Sequence, residues 1–242
     1  MRYKPIALAA AALATGLAAA PASANLIQLS DVQLTGQGIG ATFTTLTLQG
    51  AGSATTESGG VLFNGTVFGD ALSGASQSHV FSFADLAISN ASQLALVVNL
   101  AEPGSEHPPS VTTAASPLAS NANLANAITL NVYSASGTLL EQHTANAGLT
   151  LDQVAGGVGG SGLVFGLDSA EQTQLNNTMA ANAGNEVFTV GATFANSQGG
   201  PETIQAIRLA QVAAVPEPAS YALLLAGLGA LGFLSKRRRR KG

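Results

Sequence analysis

Short apolar segments, separated by glycine, asparagine or serine, recur through the middle of this chain and limit the folds open to it. Several alternate apolar and polar residues, which is the pattern of a strand with one buried face. A parallel α/β sheet is disfavoured, because it needs a helix for nearly every strand and only one segment has helical periodicity. The pattern predicts a mainly β domain, a β-sandwich or jelly roll, with strands at 41–48, 60–68, 79–83, 94–100, 127–133, 139–143, 163–167, 187–194 and 203–212.

One short helix is predicted from its start signal and its periodicity. Asp168 stands three residues before Glu171, which is the spacing of a capping box at a helix N-terminus. Leu175 and Met179 then recur four residues apart and mark an apolar side. We therefore expect a helix over residues 169–181.

The clearest hairpin and two loops are also marked by composition. Residues 134–137 read Ser-Ala-Ser-Gly between two apolar segments, and small polar residues with glycine favour a tight turn. A hairpin is therefore expected over residues 127–143. Residues 102–126 lack periodicity and are rich in proline, serine, alanine and asparagine, and residues 156–162 are glycine-rich, so both are predicted to be loops.

Charge is distributed very unevenly along the chain. Between residues 25 and 215 there are twelve carboxylates and one cation, Arg208, whereas both ends are basic. Such an acidic body repels nucleic acid and anionic lipid, because phosphate binding depends on lysine and arginine. The chain has no cysteine, so its fold depends on packing and backbone pairing without disulfides.

Residues 1–24 have the three-part order of a secretory signal peptide. Two cations come first, an alanine- and leucine-rich run follows over 5–20, and small residues close the segment. We expect signal peptidase to recognise this site and to cut after Ala24. Its recognition residues are then Ala22 and Ala24, and Asn25 becomes the first residue of an exported chain.

A second apolar segment, from Ala219 to Ser235, is predicted to be a transmembrane helix. Its seventeen residues span about 26 Å at about 1.5 Å each, close to the thickness of a bilayer core. The positive-inside rule keeps the basic tail that follows in the cytoplasm, so the body lies on the other side of the inner membrane. That tail consists of Lys236, Arg237, Arg238, Arg239, Arg240 and Lys241.

Directly before this helix stand Pro216, Glu217 and Pro218. Two prolines disfavour helix and sheet pairing, so the segment stays extended and accessible to a processing enzyme. The motif, helix and basic tail together resemble the PEP-CTERM sorting signal of Gram-negative bacteria, over about the last 28 residues. The resemblance implies recognition by exosortase, a membrane protease and transpeptidase, and an association with exopolysaccharide and biofilm. It carries no information on the activity of the body.

The chain is thus divided into a signal peptide over 1–24, a β-rich exported domain over 25–214 and a sorting signal over 215–242. We expect a membrane-anchored precursor that is processed and then reaches the cell surface or the extracellular matrix. The first expectation for its role is a non-enzymatic matrix protein associated with exopolysaccharide. A carbohydrate-binding or adhesive module and a secreted hydrolase with an unrecognised site remain alternatives.

Motifs for cofactor, metal or nucleophilic chemistry are weak. The glycine-rich residues 157–162 fit a dinucleotide fingerprint in spacing, but a strand is predicted where a helix N-terminus is needed. The three histidines, His79, His107 and His143, have neither the helical spacing nor the cysteine partners of a zinc site. No G-x-S-x-G nucleophile elbow is present. We therefore expect no cofactor, no metal and no catalytic residues.

Overall fold

The structure, a computed structural model, describes residues 24–34, 43–51, 54–101, 111–118, 127–152, 162–197 and 200–209. Most of the regular structure in these ranges is β-strand, which confirms the mainly β prediction. The strands are β1 (Ala24–Leu34), β2 (Phe43–Leu48), β3 (Thr56–Val61), β4 (Val67–Gly69), β5 (Phe81–Ser82), β6 (Leu94–Asn99), β7 (Val111–Thr113), β8 (Ile128–Tyr133), β9 (Leu139–Ala145), β10 (Thr150–Leu151), β11 (Gly162–Leu167), β12 (Val187–Ala195) and β13 (Glu202–Arg208), with one α-helix, α1 (Ser169–Ala181), and a 3-10 turn, Ala91–Gln93.

The strands form one continuous curled sheet, where the sequence predicted a sandwich of two. Its order is β10-β7-β12-β8-β9-β1-β11-β6-β13-β2, and β3 and β4 continue from the other edge of β12. The two ends meet through the residues after β4. Asp70 N–H donates to Ser58 O at 2.9 Å, and its own carbonyl accepts from Gln49 N at 3.0 Å. The same short segment therefore hydrogen-bonds to β3 and to the end of β2.

A glycine permits this closure. Gly69 has a φ of +64°, a conformation that other L-residues rarely adopt. A Cβ at this position would lie 2.1 Å from Ser58 O. The chain can therefore turn from one strand to the other only without a side chain here. This turn lets the residues after β4 hydrogen-bond both to β3 and to the end of β2, so that the sheet curls on itself.

Strand β1 lies in the middle of the sheet and was not among the predicted strands. It pairs antiparallel with β11 and, over residues 24–26, parallel with β9, the one parallel pair in the described part of the chain. Its register against β11 shifts between Gln28 and Gln33. Because the shift interrupts the two-residue period, the strand has no clear alternation in the sequence.

Two predicted segments contain more structure than expected. Residues 60–68, predicted as one strand, are a hairpin, because the chain reverses at Asn64 and at Gly65, whose φ is +81°. Asn-Gly between apolar residues is a strong hairpin signal that was read as part of a strand. The predicted loop over 102–126 includes β7, and its described residues end at Leu118.

The local predictions around the helix and the main hairpin are confirmed. Helix α1 has the expected bounds, and the Asp168 side chain accepts from Ala170 N at 2.8 Å and from Glu171 N at 3.1 Å. Strands β8 and β9 form the expected antiparallel hairpin. Its turn is closed by Ser134 N–H, which donates to Thr138 O at 2.9 Å.

The main core lies inside the curl of the sheet and contains aromatic and aliphatic side chains. The rings of Phe83 and Phe188 stack with centroids 5.1 Å apart, and both side chains are fully buried. Leu175 and Met179 of α1 belong to the same core. A smaller apolar cluster is formed by Ala95, Val97 and Val164 on β6 and β11.

Strands β8 and β12 are buried on both faces, and the two faces differ in chemistry. Leu130, Val132 and Val190 belong to the core. The alternating positions carry buried polar residues, including Thr129, Asn131, Thr189 and Thr193. Ser58 and Thr193 share a hydroxyl hydrogen bond of 2.7 Å on this polar face. The alternation in the sequence therefore separates apolar from polar contacts, and it does not separate buried from exposed residues.

Candidate functional site

The polar cluster with most potential for chemistry lies between β9 and α1. Glu141 and His143 are two positions apart on β9, so their side chains point to the same face of the sheet. His143 is fully buried and Glu141 is 6% exposed. Glu141 Oε2 lies 3.0 Å from His143 Nε2, a distance at which a protonated imidazole would form an ion pair.

Helix α1 contributes the other polar groups of this cluster. The Thr178 hydroxyl donates a hydrogen bond to Glu141 Oε1. Glu171, in the first turn of the helix, is 6% exposed and hydrogen-bonds to the N-cap residue Asp168 through its side chain. Polar contacts therefore join α1 to β9 beside the apolar contacts of Leu175 and Met179. We call Glu141, His143, Asp168, Glu171 and Thr178 the β9–α1 cluster.

The charge of Asp168 is stabilised by its neighbours. The side-chain hydrogen bond with Glu171 is the main cause that holds the pKa of Asp168 below its usual value. Backbone N–H groups of Glu171 and Ala170 and the positive field of His143 act in the same direction, and partial desolvation opposes them. Two carboxyl groups can hydrogen-bond only through a shared proton. These contacts fix the Asp168 side chain at the N-terminus of α1.

The burial of this cluster decides what it can do. A general base must come within hydrogen-bond distance of a substrate proton, and the His143 ring is covered by the protein on all sides. In the part of the chain that the structure describes, no three acidic or histidine side chains converge closely enough to hold a metal ion. The contacts that are present position α1 on the sheet.

The remaining residues considered for chemistry are scattered. His79 stands before β5, partly buried, with its ring centroid 5.9 Å from that of Phe81. His107 lies outside the described residues. Gly162, the last glycine of the fingerprint-like run, was predicted to lie in a loop but begins strand β11, one residue before the predicted strand over 163–167, and the other residues of that run are not described.

The structure describes the backbone at one of the two predicted processing sites. Ala24 and Asn25 begin β1, with Ala24 opposite His143 and Asn25 opposite Thr144 of β9. Ala22 lies outside the described residues. The predicted residues of the sorting motif, helix ends and tail also lie outside them, namely Pro216, Glu217, Pro218, Ala219, Ser235, Lys236, Arg237, Arg238, Arg239, Arg240 and Lys241.

The described ranges contain α1 and one 3-10 turn as their helical elements. None of the helices there combines the length and the apolarity needed to cross a bilayer. The predicted span from Ala219 to Ser235 falls entirely on residues that are not described. Its existence and its topology therefore stay predictions.

Sequence reasoning missed the β9–α1 cluster, although parts of its signal were visible. Glu141 and His143 alternate with Leu140 and Gln142 in a segment that was correctly predicted as a strand. The capping box identified Asp168 and Glu171 as neighbours. Only the packing of α1 on β9 brings the two pairs together, and one sequence contains no local signal for that packing.

Comparison with known proteins gives one match. The PEP-CTERM protein-sorting motif is found over residues 214–240. The curated proteins and the solved structures that were compared contain no match to the chain. The motif implies export of a membrane-anchored precursor, and its processing by an exosortase-type membrane transpeptidase for sorting to the cell surface. The chain is therefore a PEP-CTERM sorting domain-containing protein.

Proposed function

We propose that this protein is a non-enzymatic component of the cell surface or extracellular matrix, associated with exopolysaccharide in a biofilm. The observation that carries the proposal is the sorting motif at residues 214–240. The segment from Ala219 to Ser235 holds the precursor in the inner membrane, with its basic tail in the cytoplasm. Processing near Pro216, Glu217 and Pro218 then releases or transfers the β-rich body.

The chemistry of the body is consistent with a structural role. One of its three histidines and three of its twelve carboxylates belong to the β9–α1 cluster, where His143, Glu141 and Glu171 are buried. Its net charge is strongly negative, with twelve carboxylates and one arginine between residues 25 and 215. Such a body stays soluble at high concentration and does not adsorb to nucleic acid. Divalent cations would bridge it to anionic polysaccharide.

Processing is tested by replacing Pro216, Glu217 and Pro218 together with alanine. We expect the variant to accumulate at its precursor mass in the inner-membrane fraction, because the transpeptidase loses its recognition motif. Tyr221→Phe, in the predicted helix beside the motif, is the matched control and is expected to be processed normally. Immunoblots of fractionated cells and intact mass of the product measure both. Normal release of the alanine variant would contradict the processing site.

The matrix role is tested with the processed protein and exopolysaccharide from the same cells. We expect co-sedimentation that increases with calcium and is lost in chelator, because like charges otherwise repel. Saturable binding of one glycan without calcium would instead favour a carbohydrate-binding module. Shortening of the polysaccharide during incubation would show a hydrolase and would refute the non-enzymatic proposal.

A further inference from the structure

The first residues of β1 lie at the edge of the β9–α1 cluster. Ala24 pairs with His143 and Asn25 with Thr144 in the parallel ladder with β9. On the other side of β1, Leu26 pairs antiparallel with Leu167. Asn25 therefore approaches the residue that follows Leu167, which is Asp168. The bond between Ala24 and Asn25, where signal peptidase is expected to cut, lies between the two halves of the cluster.

The cluster contains more acidic than basic groups. Glu141, Asp168 and Glu171 supply three carboxyl groups, and His143 is the one basic side chain among its members. Arg208, the single lysine or arginine in the described ranges, lies on β13, and β6 separates that strand from β11. A positive charge at the start of β1 would meet three carboxyl groups within about two strand spacings, roughly 10 Å.

Two buried groups of the cluster also have unused hydrogen-bonding capacity. Neither ring nitrogen of the fully buried His143 makes a hydrogen bond, and Glu141 Oε2, despite its 3.0 Å approach to His143, makes none either. Buried polar atoms of this kind are normally paired, because an unpaired one loses its hydration without compensation. The cluster therefore offers acceptors to a donor that enters beside His143.

We infer that the β9–α1 cluster is a binding site for the α-ammonium group of Asn25, which signal-peptide cleavage creates. Hydrolysis of the Ala24–Asn25 bond adds water across the peptide link, leaving a carboxylate on Ala24 and an ammonium on Asn25. The ammonium donates to the carboxylates of the cluster. The inference rests on the proposed export with removal of residues 1–24, and the experiment below separates the two.

Binding of the ammonium would link processing to the stability of the sheet. In the uncut chain an uncharged peptide group occupies this position and leaves the carboxylates without a cationic partner from β1. After cleavage, three mobile donors replace one fixed N–H at the same place. Because β1 lies between β9 and β11, fixing its first residue holds both neighbours together.

The sequence makes a direct test possible. Lysines stand only at positions 4, 236 and 241, so a chain processed at both ends has its α-amino group as its single primary amine. Amine acetylation, followed by mass spectrometry of the N-terminal peptide, then reports on Asn25 alone. We propose to acetylate the exported, processed protein at pH 7.5 in its folded state and in urea. The inference predicts at least a tenfold slower reaction in the folded state.

The pH profile separates ion pairing from simple burial. An ammonium beside carboxylates keeps its proton to higher pH, so half-maximal reactivity should lie above the ordinary α-amino pKa of about 7.7 to 8.0. Burial without a partner would move the midpoint below that range and would overturn the inference. The titratable groups on the elements beside the start of β1 are Glu141 and His143 of β9, and Asp168 and Glu171 at the start of α1.

Substitution of single carboxylates identifies which of them bind the ammonium group of Asn25. Glu171→Gln and Glu141→Gln should each bring the acetylation rate at least threefold closer to that of the unfolded chain. Asp85→Asn, which removes an exposed carboxylate in the turn after β5, should leave the rate unchanged. An amine that reacts equally fast in the folded and unfolded wild-type protein would overturn the inference without any variant. A mass that shows residues 1–24 still attached, or another first residue, would refute the cleavage itself.

Discussion

The apolar core inside the curled sheet is buried and the β9–α1 cluster is buried in part, and the two are held together by different means. The core contains many aromatic and aliphatic side chains from both walls of the curl, so each residue is supported by several others. The cluster contains five polar side chains, and each makes only a few specific contacts. The core therefore supplies most of the stability, whereas the cluster fixes the position of one helix. Substitutions in the two regions should differ in how much they lower the free energy of unfolding. They should also differ in whether the losses of two substitutions add.

The largest effect is expected from Phe188→Ala in the core. The ring is fully buried and stacked on Phe83, so its removal should lower the free energy of unfolding by about 3–5 kcal/mol. Urea unfolding of the exported protein measures the change. The control Ile27→Ala removes a side chain that is 41% exposed and should change stability by about 0.5 kcal/mol or less. Equal losses in the two variants would show that the core does not lie where the structure puts it.

A smaller loss is expected when the contact between Glu141 and His143 is removed from one side. Glu141→Ala removes the acceptor of the Thr178 hydroxyl and the carboxyl group beside His143, which should cost about 1–3 kcal/mol. The double variant Glu141→Leu with His143→Leu removes both polar partners and fills the space. It should lose less than the sum of the two single leucine variants, because neither partner is left buried alone. Simple addition of the single losses would contradict a coupled pair.

Removal of a hydroxyl from the polar face of β12 should lower the free energy of unfolding by less than removal of Glu141. Thr193→Val keeps the shape of the side chain and removes the hydroxyl that bonds to Ser58, at a cost of about 1 kcal/mol. Thr138→Val, at an exposed position of the β8–β9 turn, is the matched control and should be neutral. Thermal unfolding of both variants measures the difference. A loss as large as that of Phe188→Ala would mean that the hydroxyl network, and not the apolar core, dominates the stability of β12.

The smallest effect is expected from Asp168→Asn, and it should depend on pH. Asparagine retains the helix cap but has no charge. Because the pKa of Asp168 is lower in the folded than in the unfolded chain, its charge stabilises the fold above about pH 4. This stabilisation is lost as the pH falls through the lowered folded value. The Tm difference between wild type and variant should thus be present at pH 7 and vanish in strong acid, and a constant difference would contradict the assignment.

The sequence predicted the elements that are determined by residues close to one another along the chain. The bounds of α1 followed from its capping box and its two apolar residues, and the β8–β9 hairpin followed from its turn. The features that the sequence did not predict depend on residues that are far apart along the chain. Strand β1 is specified by β9 and β11, and the closure of the sheet by a glycine with positive φ. The β9–α1 cluster requires the packing of α1 on β9, which no periodicity encodes.

The position of β1 has a consequence for the order in which an exported chain folds. Its residues leave the translocation channel first, yet Ala24 pairs with His143 and Leu26 with Leu167. His143 stands 119 residues after Ala24, so nearly half of the chain must follow before this strand has any neighbour. Contacts between such distant residues form slowly, and unpaired strands associate with one another in the meantime. The central strand of the sheet therefore remains unpaired until β9 has followed it, and other partners must be kept from it during that time.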